Sequence, residues 1–397
     1  MTSLRNTPKA LCIQPQIHTI KIWSLITSLF EHKDPNYAFW WQVTGLPLAI
    51  LLDKAGYTAE EQYQNLLLYY LAVVPELGPG PDGKGRPRYW KSFMTDHFCP
   101  VELSWEWNIY GGRPTIRFSF EPVGLCAGSR IDPFNEFAAL RFVRQNHSAI
   151  PGCDLQWFNH FSDKLLSFSY LPSMADEELN RQSHQSRIFL ALDLEKGGGV
   201  KLKVYFMPVF KALKTGRSVM SLISEAIESL PFLSTSLLLS FQHLKRFLET
   251  CPEGQRLQPE IVSTDCISPE MSRVKIYMRS YCVSFEQVRR TMLLGNESAK
   301  NVSPRGMQEL QKFWNFIFGH QEDSPLGQEE FYHRTSGILY YFELRSERST
   351  PSVKVYLPVR HYGKSDLCTA DRLQEYFRTI GKSSLATNYI EALKAIT

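Results

Sequence analysis

Short runs along this chain alternate between polar and apolar side chains, and three of them share a core: Lys203-Val204-Tyr205, Lys275-Ile276-Tyr277 and Lys354-Val355-Tyr356. A strand turns successive side chains to opposite faces, so in each run Lys and Tyr share one face and the aliphatic residues the other. A fourth run, from Thr115 to Glu121, places Arg117 and Ser119 in the same alternation. The first two Lys-Tyr cores lie 72 residues apart and the next two 79, a spacing of large repeated units. Strands are predicted near 101–108, 114–121, 187–194, 201–208, 259–265, 272–279, 337–344 and 352–359. The turns Tyr110-Gly-Gly-Arg-Pro114 and Glu195-Lys-Gly-Gly-Gly199 join the first two pairs as hairpins. Between the pairs the apolar period lengthens to that of a helix. Helices are predicted within 36–76, near 133–145, along Leu237, Phe241, Leu244 and Leu248, along Met307, Leu310, Phe313, Trp314 and Ile317, and at 369–380 and 384–396.

Helix then hairpin, repeated four times, describes an α+β fold in which antiparallel hairpins close into a barrel ringed by helices. A doubly wound parallel sheet would need single strands alternating with helices. With the aliphatic faces outside under the helices, the cations and phenols point into one interior. Buried cations without compensation are very costly, so the interior calls for an anionic guest, a phosphate or diphosphate. The stretch Gly78 to Arg88 looks like a phosphate-binding loop, but its prolines remove amide donors and no strand-to-helix context surrounds it. It reads as an ordinary loop.

A repeat through most of the 397 residues favours one domain over 1–397: N-terminal helices at 20–76, barrel hairpins and helices at 90–360, C-terminal helices at 368–397. The formal net charge of +4 leaves no basic excess for a nucleic-acid surface. Eight cysteines occur without a Cys-x-x-Cys pair, which suggests neither a zinc site nor a disulfide framework and fits a cytoplasmic protein. Met1 to Ile20 lacks a signal-peptide core and no run of 18 apolar residues occurs, so no membrane is implicated.

The ordered series Trp40-Trp41, Gln62-Tyr63, Leu77-Gly78, Pro100-Val-Glu102, Phe120-Glu-Pro122, Asp132-Pro-Phe-Asn135, Leu190-Ala-Leu-Asp193, Lys203-Val-Tyr205 and Ser272-Arg-Val-Lys-Ile-Tyr277 resembles the fungal aromatic prenyltransferases of the dimethylallyltryptophan synthase family. That family adopts the antiparallel barrel called the ABBA or PT fold. The resemblance implies that Arg117, Lys203, Arg273 and Lys275 bind the diphosphate of dimethylallyl diphosphate, with Lys354 where some relatives have Gln. It implies that Tyr205, Tyr277 and Tyr356 shield the allyl cation and that Glu102 binds the acceptor, where a carboxylate as catalytic group orients the ring or draws away a proton. Phe93 and Met94 fall where the family's backbone contacts to the acceptor lie. The chemistry is sound by itself, since cations stabilise a leaving diphosphate and aromatic faces a carbocation. No Asp-Asp-x-x-Asp motif is present to chelate magnesium, so neither metal nor other cofactor is expected and the cage does the metal's work.

Three departures shape the expected function. Glu260 stands where tryptophan-using relatives carry an Arg for the substrate carboxylate, and Phe189 where they carry a proton-accepting Lys. The chain also ends after the helices that should precede a fifth hairpin, which could leave the wall open to water. The expectation is transfer of a dimethylallyl group to a small electron-rich aromatic acceptor, a phenolic polyketide or elaborated indole rather than free tryptophan, in fungal secondary metabolism. The alternatives are a prenyltransferase-like cyclase or isomerase, and an inactive truncated homologue.

Overall fold

The computed structural model describes residues 21–30, 34–109, 111–166, 184–296, 302–319 and 333–397, so the Met1–Ile20 segment and Tyr110 of the first predicted turn lie outside it. Eight strands form one sheet in sequence order: β1 (Val101–Glu106), β2 (Thr115–Phe120), β3 (Ile188–Glu195), β4 (Val200–Phe206), β5 (Gln258–Asp265), β6 (Arg273–Ser280), β7 (Ile338–Arg345) and β8 (Ser352–Tyr356). Every neighbouring pair is antiparallel. The predicted strands are all present, and β8 alone ends markedly early. Pro358 has no N–H to continue the ladder, and Val359–Tyr362 turns into a short helix instead.

One face of the alternation makes the core. Phe118, Phe120, Leu190, Val204, Phe206, Ile276, Phe342 and Leu344 point outward and are wholly buried under helices. Each such side chain contributes about 1.5–3 kcal/mol relative to exposure. Aromatic contacts set the packing: Phe142 of helix Glu136–Asn146 meets Phe120 at 5.0 Å, and Phe247 of helix Thr235–Thr250 meets Phe342 at 6.4 Å. Serines cap several of these helices; Ser234, Ser284, Ser303 and Ser365 each accept from an amide of the first turn. Helices at Gln156–Leu165, Val209–Thr215, Val219–Glu228 and Phe285–Met292 escaped the sequence reading, whereas Lys21–Leu29 falls within the N-terminal helices expected at 20–76. Ser218 and Ser284, which cap two of them, were the available signals.

The sheet is the expected antiparallel one ringed by helices, and it is left open at one seam. Among the described residues β1 pairs only with β2 and β8 only with β7, so the sheet is curled but open. Its edges nonetheless face each other, with Lys354 Nζ of β8 4.0 Å from a Glu106 carboxylate oxygen of β1. The C-terminal helices Asp366–Thr379 and Ser383–Ile396 cover the end of this gap. Phe377 and Tyr389 meet Trp107, just beyond β1, at 4.7 and 5.5 Å. Lys54 and Glu391, 2.7 Å apart, tie the last helix to helix Leu46–Lys54. Phe313 and Tyr376, with centroids 4.9 Å apart, tie the other to helix Pro304–Phe318. The opening has a signature in exposure: β3 is buried on both faces, whereas Glu102, Ser104 and Glu106 of β1 are exposed. No helix among the described residues is long and apolar enough to cross a membrane.

Candidate active site

The inward faces enclose a chamber of about 750 Å³ lined by Glu102, Arg117, Phe189, Tyr205, Tyr277, Lys354 and Tyr356, with Phe93 and Met94 at one end. Ladder register explains the grouping. Phe189 pairs with Tyr205, Ile261 with Tyr277, and Tyr277 with Tyr341, whose neighbour is Lys354. An aromatic band results. Phe189 stacks on Tyr205 at 4.4 Å and 9°, Tyr205 meets Tyr277 at 5.9 Å, and Tyr277 meets Tyr341 at 5.3 Å and Tyr356 at 6.3 Å. Tyr341 was not singled out in the sequence, although it sits in the same alternation as Leu339 and Glu343. Burial pushes the Tyr205 phenol up to about 12, against the pull of Arg117, so it stays neutral at physiological pH.

On one side of this band the predicted cations gather, but the structure corrects the expectation that they lack compensation. Asp193 bridges Arg117 and Lys203. Burial would raise the Asp193 carboxyl, yet the Arg117 hydrogen bond and the Lys203 and Arg117 charges hold it well below the usual carboxylate range. Arg273 lies 2.8 Å from Asp265 and 2.7 Å from Glu343, and Glu343 also holds Arg345 at 2.7 Å. These carboxylates and Arg345 belong to the site and were missed. Asp193 stood inside a quoted motif, and Asp265 and Glu343 stand at alternating positions of β5 and β7, so the inward pattern was the signal. The ion-paired cluster fills its end of the sheet. Arg117 and Lys354 are among the residues that line the open chamber, and Lys203, Arg273 and Lys275 are not.

Lys275 differs from the rest. It is 3% exposed, and among the described residues no hydrogen bond or ion pair reaches its Nζ. Its ammonium lies 5.3 Å over the Tyr341 ring. Desolvation, then repulsion from Lys203, outweighs the attraction of Asp265 and drives its pKa well below the usual lysine value.

On the other side of the band are the predicted acceptor residues. Glu102 lies deep among the surrounding elements, which pushes its pKa up against the pull of Arg117. Its surface is nevertheless open to the chamber. Glu260 sits at a bulge in β5 between Pro259 and Ile261 and turns to Arg279, with oxygens 2.6 and 3.0 Å from the guanidinium. Its charge is thus engaged rather than free to repel a ligand. Arg334 donates to the carbonyls of Phe93 and Thr95 at 2.8 and 3.1 Å and lies 3.4 Å from Asp96, which also binds Arg360. Among the described residues no group of three His, Cys, Asp or Glu side chains is placed to hold a metal ion.

The sequence of residues 36–392, which builds this cation-bearing inner wall and its aromatic band, matches the family described as tryptophan dimethylallyltransferase. The chain belongs to this family. It is an aromatic prenyltransferase, with dimethylallyl diphosphate as co-substrate. The 7-dimethylallyltryptophan synthase of Aspergillus fumigatus is 34% identical over 370 residues, covering 90% of this chain and 77% of the relative. The 4-O-dimethylallyl-L-tyrosine synthase of Claviceps purpurea is 32% identical over 375 residues, covering 90% of this chain and 82% of the relative. The crystal structure of AnaPT from Neosartorya fischeri matches with a TM-score of 0.81 at 25% identity, covering 94% of this chain and 88% of that one. The curled sheet and its helical wall are the fold that this chain shares with AnaPT.

Proposed function

We propose that this prenyltransferase ionises dimethylallyl diphosphate beside the Lys275 end of the chamber and passes the allyl group to an aromatic acceptor held near Glu102. In this reading Arg117, Lys203, Arg273, Lys275 and Lys354 hold the diphosphate, and Tyr205, Tyr277 and Tyr356 shield the cation. The observation that carries it is Lys275, a buried amino group without a carboxylate partner among the described residues, 5.3 Å over the Tyr341 ring. An incoming diphosphate supplies the missing counter-charge and takes over donors now held by Asp193, Asp265 and Glu343. Bond breaking then leaves negative charge on the diphosphate, where the cations lie, and positive charge on the allyl group, where the ring faces lie. Glu102 takes the proton released by the substituted ring or phenol. Phe93 and Met94 border the acceptor.

The acceptor in this proposal is an aromatic without a free carboxylate, such as a phenolic polyketide or an elaborated indole. Arg279, Arg334 and Arg360 at that end are each already joined to Glu260 or Asp96, and Phe189 offers no cation. A second reading, a free amino acid, is favoured by the names of the two relatives, one a tryptophan and one a tyrosine derivative. The test incubates the enzyme and dimethylallyl diphosphate with L-tryptophan, L-tyrosine, a tryptophan-containing cyclic dipeptide and a dihydroxynaphthalene. A kcat/KM at least about tenfold higher for the cyclic dipeptide or the naphthol supports the first reading, and the reverse order establishes the second. Calorimetry showing no binding of the diphosphate would refute both.

A further inference from the structure

Glu121, the first residue past β2, is 1% exposed and belongs to no cation pair among the described residues. Its carboxylate instead gathers five neutral donors. Oε1 accepts from Trp90 Nε1 at 2.8 Å and Asn135 Nδ2 at 3.3 Å. Oε2 accepts from Ser92 Oγ at 2.6 Å, Ser186 Oγ at 2.9 Å and the Phe93 amide at 3.2 Å. Three of these donors belong to the segment 90–93, which leads directly to the residues bordering the acceptor end. The link continues one step further, because Ser92 Oγ accepts from the Met94 amide at 3.3 Å while donating to Glu121. Arg334 holds the same segment from the opposite side, through the Phe93 and Thr95 carbonyls.

A fully buried carboxylate is costly to desolvate, and a core that needed only packing would hold an apolar side chain here at less cost. What the carboxylate uniquely provides is acceptor capacity for several donors converging on one short segment. Those donors hold one side of a loop whose own hydrogen bonds are turns, between Phe98 and Thr95 and between the Thr95 side chain and Cys99, and whose other side is held by Arg334. Phe93 and Met94 reach the chamber from that segment beside Phe189, which Phe93 meets at 6.0 Å.

We propose that Glu121 is a positioning residue for acceptor specificity: its carboxylate locks the 90–94 segment so that Phe93 and Met94 shape the acceptor end of the chamber. The proposal rests on the prenyl-transfer reading of that chamber. Glu121 is not among the residues that line the chamber, so its effect passes through Trp90, Ser92, Ser186 and the Phe93 amide. Donor binding, on the far side of the tyrosine band, is independent of it.

The test compares wild type, Glu121→Gln and Ser92→Ala as full chains, at saturating dimethylallyl diphosphate, with whichever of L-tryptophan, L-tyrosine, the cyclic dipeptide and the naphthol turns over fastest. Glu121→Gln keeps the shape but replaces one acceptor oxygen by a donor facing donors. It should raise the acceptor KM about tenfold or more, with donor affinity by calorimetry within about twofold of wild type. Ser92→Ala cuts the link to Met94 while leaving the carboxylate, and should raise the acceptor KM about three- to fivefold. Either variant should also broaden the set of positional isomers seen by mass spectrometry and NMR. A merely structural Glu121 would reduce the fraction of active enzyme and the melting temperature but leave acceptor KM and isomer ratio unchanged, and that result overturns the proposal. If Glu121→Gln fails to fold, Ser92→Ala decides alone: a wild-type KM and isomer ratio overturn it. Absence of donor-dependent turnover in wild type would instead remove the prenyl-transfer reading itself.

Discussion

Replacing Lys275 by Met should make the protein more stable and bind its donor less well. The Lys275 amino group is 3% exposed, facing Asp265 on β5 but also Lys203, Arg117 and Arg273, and among the described residues none of the carboxylates bonds it. Folding therefore carries either an uncompensated charge or a lysine stripped of its proton. The second route limits the cost: deprotonating an ordinary lysine at pH 7 takes about 4.5 kcal/mol. Methionine matches the stem and needs no counter-charge, so the gain should be about 1–4 kcal/mol, the range seen when buried ionic groups yield to apolar ones. For 397 residues unfolding together, about 1 kcal/mol moves the melting temperature by about 1 °C, so a rise of about 1–5 °C is expected. Lys203→Met is the control, because Lys203 is equally buried but bonded to Asp193. Removing it leaves a buried carboxylate short of a donor, and its melting temperature should not rise. Both variants should lose about one to two decades of affinity for dimethylallyl diphosphate, the worth of one charge-assisted contact. Scanning calorimetry and donor titration on wild type and the two variants suffice. A fall in melting temperature for Lys275→Met would show that an anion of the protein already serves this lysine, and the assignment of Lys275 to the diphosphate would fail.

The same lysine makes donor binding proton-linked: its pKa is depressed in the empty site and rises beside a diphosphate, so binding takes up a proton and tightens as pH falls between those two values. Titration in two buffers of different ionisation enthalpy measures the uptake, and identical apparent enthalpies across about pH 6–9 would contradict it. Glu102→Gln, which keeps shape but loses charge and basicity, should cut turnover about 10²-fold or more with donor binding near wild type, and equal rates would leave Glu102 no role in proton transfer. Since burial raises the Glu102 pKa, wild-type turnover should fall as pH drops through a value above the ordinary glutamate range, and that acid limb should vanish in Glu102→Gln. Gly337, at the head of β7, has φ +78° and a Cβ there would stand 2.5 Å from the Ser280 carbonyl oxygen. Gly337→Ala should therefore destabilise the protein by about 1–3 kcal/mol, which chemical denaturation would measure; an unchanged midpoint would mean that β6 and β7 can separate at that point.

Much of this molecule was legible in its sequence because strand alternation is a local property. Each inward Lys, Arg or Tyr of the three repeated runs is placed by its own backbone, and the aliphatic residue beside it is forced to the helical wall. That reasoning located Arg117, Lys203, Lys275, Tyr205 and Tyr277 on one interior face without knowing how the strands pair. It could not supply register, since pairing depends on which strands meet and where a bulge intervenes. Only the folded sheet sets Asp193 between Arg117 and Lys203, brings Asp265 and Glu343 to Arg273, and leaves Lys275 without a partner among the described residues. The bulge at Glu260 likewise turns that carboxylate to Arg279, an outcome no count along β5 would yield. Closure is decided at the greatest separation in sequence, between β1 and β8, where Lys354 approaches Glu106 without a ladder between the strands. Composition and periodicity are short-range and determine faces; charge compensation and the shape of the chamber are long-range, and arise only when distant strands become neighbours.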